Sequence, residues 1–86
     1  MPHYLGHRER LRQRFLDSPE TLPDYELLEL ALCLSQPRGD MKPLAKELMN
    51  RFGSIGAVFA APTEKLLKVK GMGSTSVSTL RLMIEM

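Results

Sequence analysis

A single cysteine, Cys33, and no apolar run approaching the ~18 residues of a membrane span set the first limits on this chain. One cysteine closes no intrachain disulfide, and this one sits among Leu30, Leu32 and Leu34. A small buried hydrophobe is therefore expected there rather than a nucleophile. The leading stretch MPHYLGHRERLRQRF has no apolar core followed by a small-residue cleavage site, so no secretory signal is expected and a cytoplasmic setting fits. No carboxylate pair, Ser/His/Asp set or phosphate-cradling loop stands in the sequence, which speaks against an enzyme. His3 and His7 are four apart, as a helical metal pair would be, but no third ligand accompanies them. Zinc takes three or four protein ligands, so neither a metal site nor a cofactor is expected.

What remains is a small, helix-patterned chain. At 86 residues it is one domain, able to bury only about 60–65% of its unfolded surface, so its core must be compact and apolar. Hydrophobic content of 43% and charged content of 26% are ordinary for a globular domain. The net charge of +2 is unevenly spread. Arg8, Arg10, Arg12 and Arg14 face Glu9 alone in the leader, whereas Asp17, Glu20, Asp24, Glu26 and Glu29 follow with no base among them. Basic residues return around Arg38, Lys42, Lys46 and Arg51, and again at Lys65, Lys68, Lys70 and Arg81.

Punctuation by proline and glycine divides the chain into helices. Residues 6–17 read as a first helix with Leu11 and Phe15 inward, its like-charged arginine pairs waiting for an anion. Pro19 and Pro23 break it, and Pro23, Asp24 and Glu26 suit the first turn of the next helix. Tyr25 to Leu34 is nearly continuously apolar and should be the central buried helix, with Leu27, Leu30, Ala31 and Leu34 as its stripe and Leu28 and Leu32 widening it. A turn over Ser35 to Asp40 follows, with Asp40 as a helix cap. Met41, Leu44, Ala45, Leu48, Met49 and Phe52 form an amphipathic third helix stopped by Gly53. A short connector, Ser54 to Ala60, leads to a helix of about Pro62 to Val69, with Pro62 at its first position. The fold class is therefore all-α, with five to six short helices in two helical pairs that complete one core by packing together. Residues 1–23 read as a basic helix and linker, and 24–86 as the paired-helix domain.

Gly71-Met72-Gly73 carries the functional signal. Leu66, Leu67 and Val69 precede it, and Val77, Leu80 and Ile84 follow, so two apolar stripes flank a tight reversal. This is the pattern of a helix-hairpin-helix, whose turn and second-helix N-terminus present backbone N–H groups to a phosphate oxygen. Lys68 and Lys70 favour such a role, and Ser74, Thr75 and Ser76 can cap the second helix and add hydrogen bonds to a phosphate. Arg38 and Lys42 at the other turn would grip a second backbone stretch, or else are solvated surface charges. The glycine turn could equally be pure architecture, with Met72 plugging the core. The basic leader is either a nucleic-acid arm or is paired with the acidic segment after it.

Taken together, GHRERLRQRF (6–15), DYELLELAL (24–32), PRGDMKPLAKELMNRFGSI (37–55) and LLKVKGMGSTSV (66–77) resemble the N-terminal region of the bacterial RadC family, of the alphaproteobacterial type. The resemblance covers nearly the whole chain in order and spacing. It implies a tandem helix-hairpin-helix bundle, SAM-like and akin to the RuvA C-terminal fold, ahead of a JAB/MPN metallopeptidase-like domain. The zinc ligands of that second domain, paired histidines and an aspartate, have no counterpart here, so the chain is expected to be a non-catalytic accessory domain. Carried over by residue, the family's hairpin places backbone contacts at Gly71, Gly73, Ser74 and Thr75. Val77 stands where such motifs commonly have alanine, which implies looser helix packing. The expected activity is weak, non-sequence-specific binding of the DNA backbone in DNA repair. The competing expectation is a protein-interaction or dimerisation module that positions the JAB/MPN domain.

Overall fold

The computed structural model describes residues 3–86, with side chains from Gly6 onward. Six α-helices and one 3-10 turn account for its regular structure: α1 (His3–Asp17), the 3-10 turn (Pro19–Thr21), α2 (Asp24–Ser35), α3 (Lys42–Phe52), α4 (Ile55–Ala60), α5 (Thr63–Leu67) and α6 (Ser74–Glu85). No strand occurs among the described residues, so the domain is all-α as the periodicity requires.

The punctuation acts where the sequence places it, with small shifts. Pro23 and Pro62 are capping residues in extended conformation, one position before the helices they were expected to begin. Each carbonyl accepts the amides of the third and fourth helical residues: Glu26 and Leu27 for Pro23, Lys65 and Leu66 for Pro62. A proline there gives up no donor, because a cap needs only its carbonyl. Asp40 also acts one residue early. Met41 occupies the cap position of α3, and Asp40 Oδ1 accepts from the Lys42 amide at 3.0 Å. Gly53 ends α3 in a left-handed conformation, φ +98°, with its amide on the Met49 carbonyl. Ser54 then caps α4 by accepting from the Ala57 amide.

α2 is the hub, packed against α1, α3, α4 and α6. Of the expected stripe only Ala31 is buried, together with Leu28 and Leu32 that were expected to widen it; Leu27 and Leu30 are half-buried and Leu34 is 70% exposed. A helix apolar almost all round has no phase of its own, and its neighbours choose which face is sealed. Leu28 and Leu32 meet Ala45, Leu48, Val58, Leu66, Val69, Val77 and Leu80 in one core. Each fully buried leucine contributes roughly 1.5–3 kcal/mol. Val77 belongs to that core at the position where the resemblance implied a looser contact. The outer stripe is also corrected at the end of α6, where Ile84 and Leu82 are exposed and Met83 packs against the core.

α1 is held by side chains that the like-charge pattern left waiting. Leu11 is fully buried, whereas Phe15 lies at the surface. Arg14 forks onto both carboxylate oxygens of Glu26 at 2.9 and 3.0 Å. The hydrogen bonds and charge of Glu26 hold the Arg14 guanidinium above its usual value. His7 Nε2 meets Glu29 Oε2 at 2.7 Å. Arg8 donates to the carbonyls of Cys33 and Gly39, closing the C-terminal end of α2 and the following turn.

Candidate nucleic-acid interface

The second turn is built from its hydrogen bonds outward. After α5 the Val69 amide donates to the Leu66 carbonyl, and the Met72 amide donates to the Val69 carbonyl at 3.0 Å. Lys70 and Gly71 thus occupy the centre of a tight reversal. Gly71 sits at φ +98°, a region that side-chain-bearing residues avoid. Gly73 is extended at φ −118° and ψ −176°, so the reversal needs only one of the two glycines for its backbone shape. A Cβ on Gly73 would meet nothing within 4 Å, which marks open space beside it.

That open space adjoins the first turn of α6. The Val77 amide bonds back to the Gly73 carbonyl, starting the helix. The amides of Gly73, Ser74 and Thr75 enter no hydrogen bond among the described residues, and all three residues are exposed. Lys68 and Lys70 are exposed beside them and enter no ion pair among the described residues. Met72 does not belong with these groups. Its side chain is buried in the core, while Gly71 and Gly73 on either side of it are exposed.

The two turns of the domain are tied together by Gln36 and by Ser76, which is buried between them rather than open to a phosphate as its place in the second turn suggests. Gln36 Nε2 donates to the Gly71 carbonyl at 2.8 Å and to Ser76 Oγ at 3.0 Å. Ser35 spends its proton on the Leu32 carbonyl, so Ser76 donates to Ser35 and accepts from Gln36. Ser76 is 2% exposed, and a polar residue on the apolar side of α6 is the signal that could have revealed it. Leu44 of α3 lies 3.5 Å from where a Gly71 Cβ would stand, so the turns abut.

The first turn has a different chemical character. Gly39 supplies the left-handed residue, φ +94°, but its carbonyl is taken by Arg8. Asp40 occupies the α3 amide end with its own carboxylate. Arg38 is exposed and Lys42 half-buried, and the shallow cleft between the turns includes Asp40 and Glu47 as well as Lys70. An internal carboxylate at a helix start competes with any external anion for the same amides. Arg81, counted with the basic hairpin residues, is also committed elsewhere: its guanidinium donates to the carbonyls of Phe59 and Ala61 at the end of α4.

The remaining candidates are placed as follows. His3 lies outside the described side chains, and His7 is engaged with Glu29. No cluster of three metal-ligating side chains occurs among the described residues. Cys33 is half-buried, and burial pushes its thiol above the usual range, which keeps it a thiol at neutral pH. No described helix is long and apolar enough to cross a membrane.

No family model matches the chain, and no solved structure matches it. A UPF0758 protein of the alphaproteobacterium Ruegeria pomeroyi is 48% identical to it over 85 residues, 96% of this chain. The chain spans 38% of that relative's length. An identity of 48% across nearly all of an 86-residue helical chain places it, as the N-terminal part, in the UPF0758 family, which corresponds to the RadC family.

Proposed function

We propose that this domain binds the nucleic-acid backbone, DNA in the first instance, without reading sequence, as a non-catalytic accessory part of a RadC-like DNA repair protein of the cytoplasm. The observation that carries the proposal is the set of three unsatisfied amides at Gly73, Ser74 and Thr75 beside the exposed Lys68 and Lys70. Donors at a helix start and two adjacent cations suit a phosphate oxygen, and neither group distinguishes one base from another. Gly71 shapes the turn, and Gln36 holds its carbonyl so that the amides keep their aim. Arg38 and Lys42 attract the backbone at longer range, because the Asp40 carboxylate already takes the Lys42 amide of their turn. In the longer protein a JAB/MPN domain would supply any hydrolytic chemistry.

The test is an electrophoretic shift on duplex, single-stranded and branched DNA at two ionic strengths. Dissociation constants on the order of 10⁻⁴–10⁻⁶ M are expected. A log–log salt slope near minus three corresponds to about three or four phosphates. Affinity that does not change with salt overturns the proposal.

One observation favours a second reading, an interaction module. Phe15, Leu16 and Leu34 are large apolar residues left at the surface, at 38%, 67% and 70% exposure. Exposed apolar residues gathered in one place mark protein contacts. Replacing Lys68 and Lys70 by glutamate separates the readings, since only DNA retention depends on them.

A further inference from the structure

An apolar trough runs between α1, α2, α4 and α6, sharing no residue with the turns that form the nucleic-acid interface. One wall is the face of α2 that the core did not take: Leu27, Leu30 and Leu34, at helical spacing. Phe15 of α1, Phe59 of α4 and Met83 of α6 complete it. From Leu27 to Leu34 a helix rises about 10 Å, which accommodates roughly two turns of a second helix laid alongside. Leu34 at 70% exposure stands as a ridge on the rim.

The charge around this trough is one-sided. A second groove continues it past Phe15, Leu30 and Leu34 toward α1, and the only charged residues lining either part are Arg8 and Arg12. Arg8 is buried, with its guanidinium donating to the carbonyls of Cys33 and Gly39. Arg12 is exposed and enters no ion pair among the described residues. Two copies of this chain would bring like charge to like charge at that rim, whereas a carboxylate on an incoming helix would find a partner.

We propose that the trough takes an amphipathic helix of a second protein, its apolar residues spaced three and four apart and a carboxylate placed to meet Arg12. Helix-in-groove docking of this kind uses anchors at i, i+3 or i+4 and i+7, which is the register that Leu27, Leu30 and Leu34 present from the facing side. Arg12 sets orientation and preference, and the leucines and phenylalanines supply the contact area.

The test uses two labelled synthetic peptides of about fifteen residues, long enough to hold a helix, with one leucine stripe each. One carries glutamate and the other lysine beside the stripe, and binding to the 86-residue chain is read by fluorescence anisotropy. The glutamate peptide is expected to bind saturably and at least about tenfold more tightly than the lysine peptide. Leu34→Lys should weaken it by about tenfold or more. Arg12→Glu should reverse the preference between the peptides. Should Leu34→Lys lose its helical circular dichroism, the Arg12→Glu reversal decides alone. Equal binding of the two peptides, no saturable binding of either, or a preference unmoved by Arg12→Glu overturns the proposal. So does a dimer in sedimentation that Leu34→Lys dissolves, which would give the trough to a second copy. DNA retention is read separately through Lys68 and Lys70, which lie outside the trough, so failure here leaves the nucleic-acid reading intact and the reverse also holds.

Discussion

The two glycines of the second turn should respond oppositely to the same methyl group. Gly71 holds φ +98°, so alanine there is forced into a region it rarely visits, at a cost of about 1–3 kcal/mol. Space is not the obstacle: the added Cβ would lie 3.5 Å from Leu44 Cδ1 and Cδ2, an ordinary contact. Alanine also loses less chain entropy on folding, which offsets about 0.4–1 kcal/mol and leaves a net destabilisation of about 1–2 kcal/mol. At Gly73 the backbone is extended and nothing lies within 4 Å of the new Cβ, so only the entropic gain applies. Gly73→Ala should therefore be neutral or stabilising by up to about 1 kcal/mol. Urea unfolding of both variants, with equal slopes, reads the difference directly. In thermal melts a domain of this size moves about 4–8 °C per kcal/mol, so the midpoints should separate by roughly 10 °C. Equal losses in the two variants, or a larger loss at Gly73, would refute the assignment of the turn's strain to Gly71 alone.

Replacing Lys68 and Lys70 together by glutamate should leave the unfolding midpoint nearly unchanged while reducing the DNA salt slope by about two, as each phosphate contact contributes about 0.9; a retained slope would move the contact elsewhere. His7→Ala strips the buried Glu29 carboxylate of its hydrogen bond and should cost about 1–3 kcal/mol in urea unfolding. Glu29→Leu removes a buried carboxylate whose second oxygen has no partner, and should cost less than His7→Ala or stabilise the domain. Cys33 should react slowly with iodoacetamide near neutral pH and at the rate of a free thiol once urea unfolds the chain. Because burial raises this thiol above its unfolded value, the associated stability is complete below the unfolded pKa and is lost as pH rises through the folded one. Cys33→Ala should flatten that alkaline decline in urea midpoints.

Residues acting on their immediate neighbours were legible without coordinates. Gly53 as a stop, Ser35 to Asp40 as a turn and Gly71 as the pivot of a reversal all depend on φ restrictions or local hydrogen bonds within a few residues. The offsets at Pro23, Pro62 and Asp40 amount to one residue each, the distance between a residue that caps a helix and one that begins it. At the glycine turn the pattern left open whether Met72 lies with the donors or plugs the core, because adjacency in sequence does not say which way a side chain leaves a reversal.

Long-range partnerships carried no such local trace. Arg8 and Arg81 each close a carbonyl end twenty or more residues away in sequence, and Gln36 joins the first turn to the second through Gly71 and Ser76. Six short helices, their approximate limits and one left-handed pivot were decided by the order of residues along the chain, because backbone sterics and helical periodicity act over a few residues. Which side of α2 would be sealed, which arginines would be spent on carbonyls, and whether a helix start would keep its amides free were decided only when the helices packed. An almost uniformly apolar helix and a set of equivalent-looking cations become distinguishable only through the neighbours that tertiary structure brings to them.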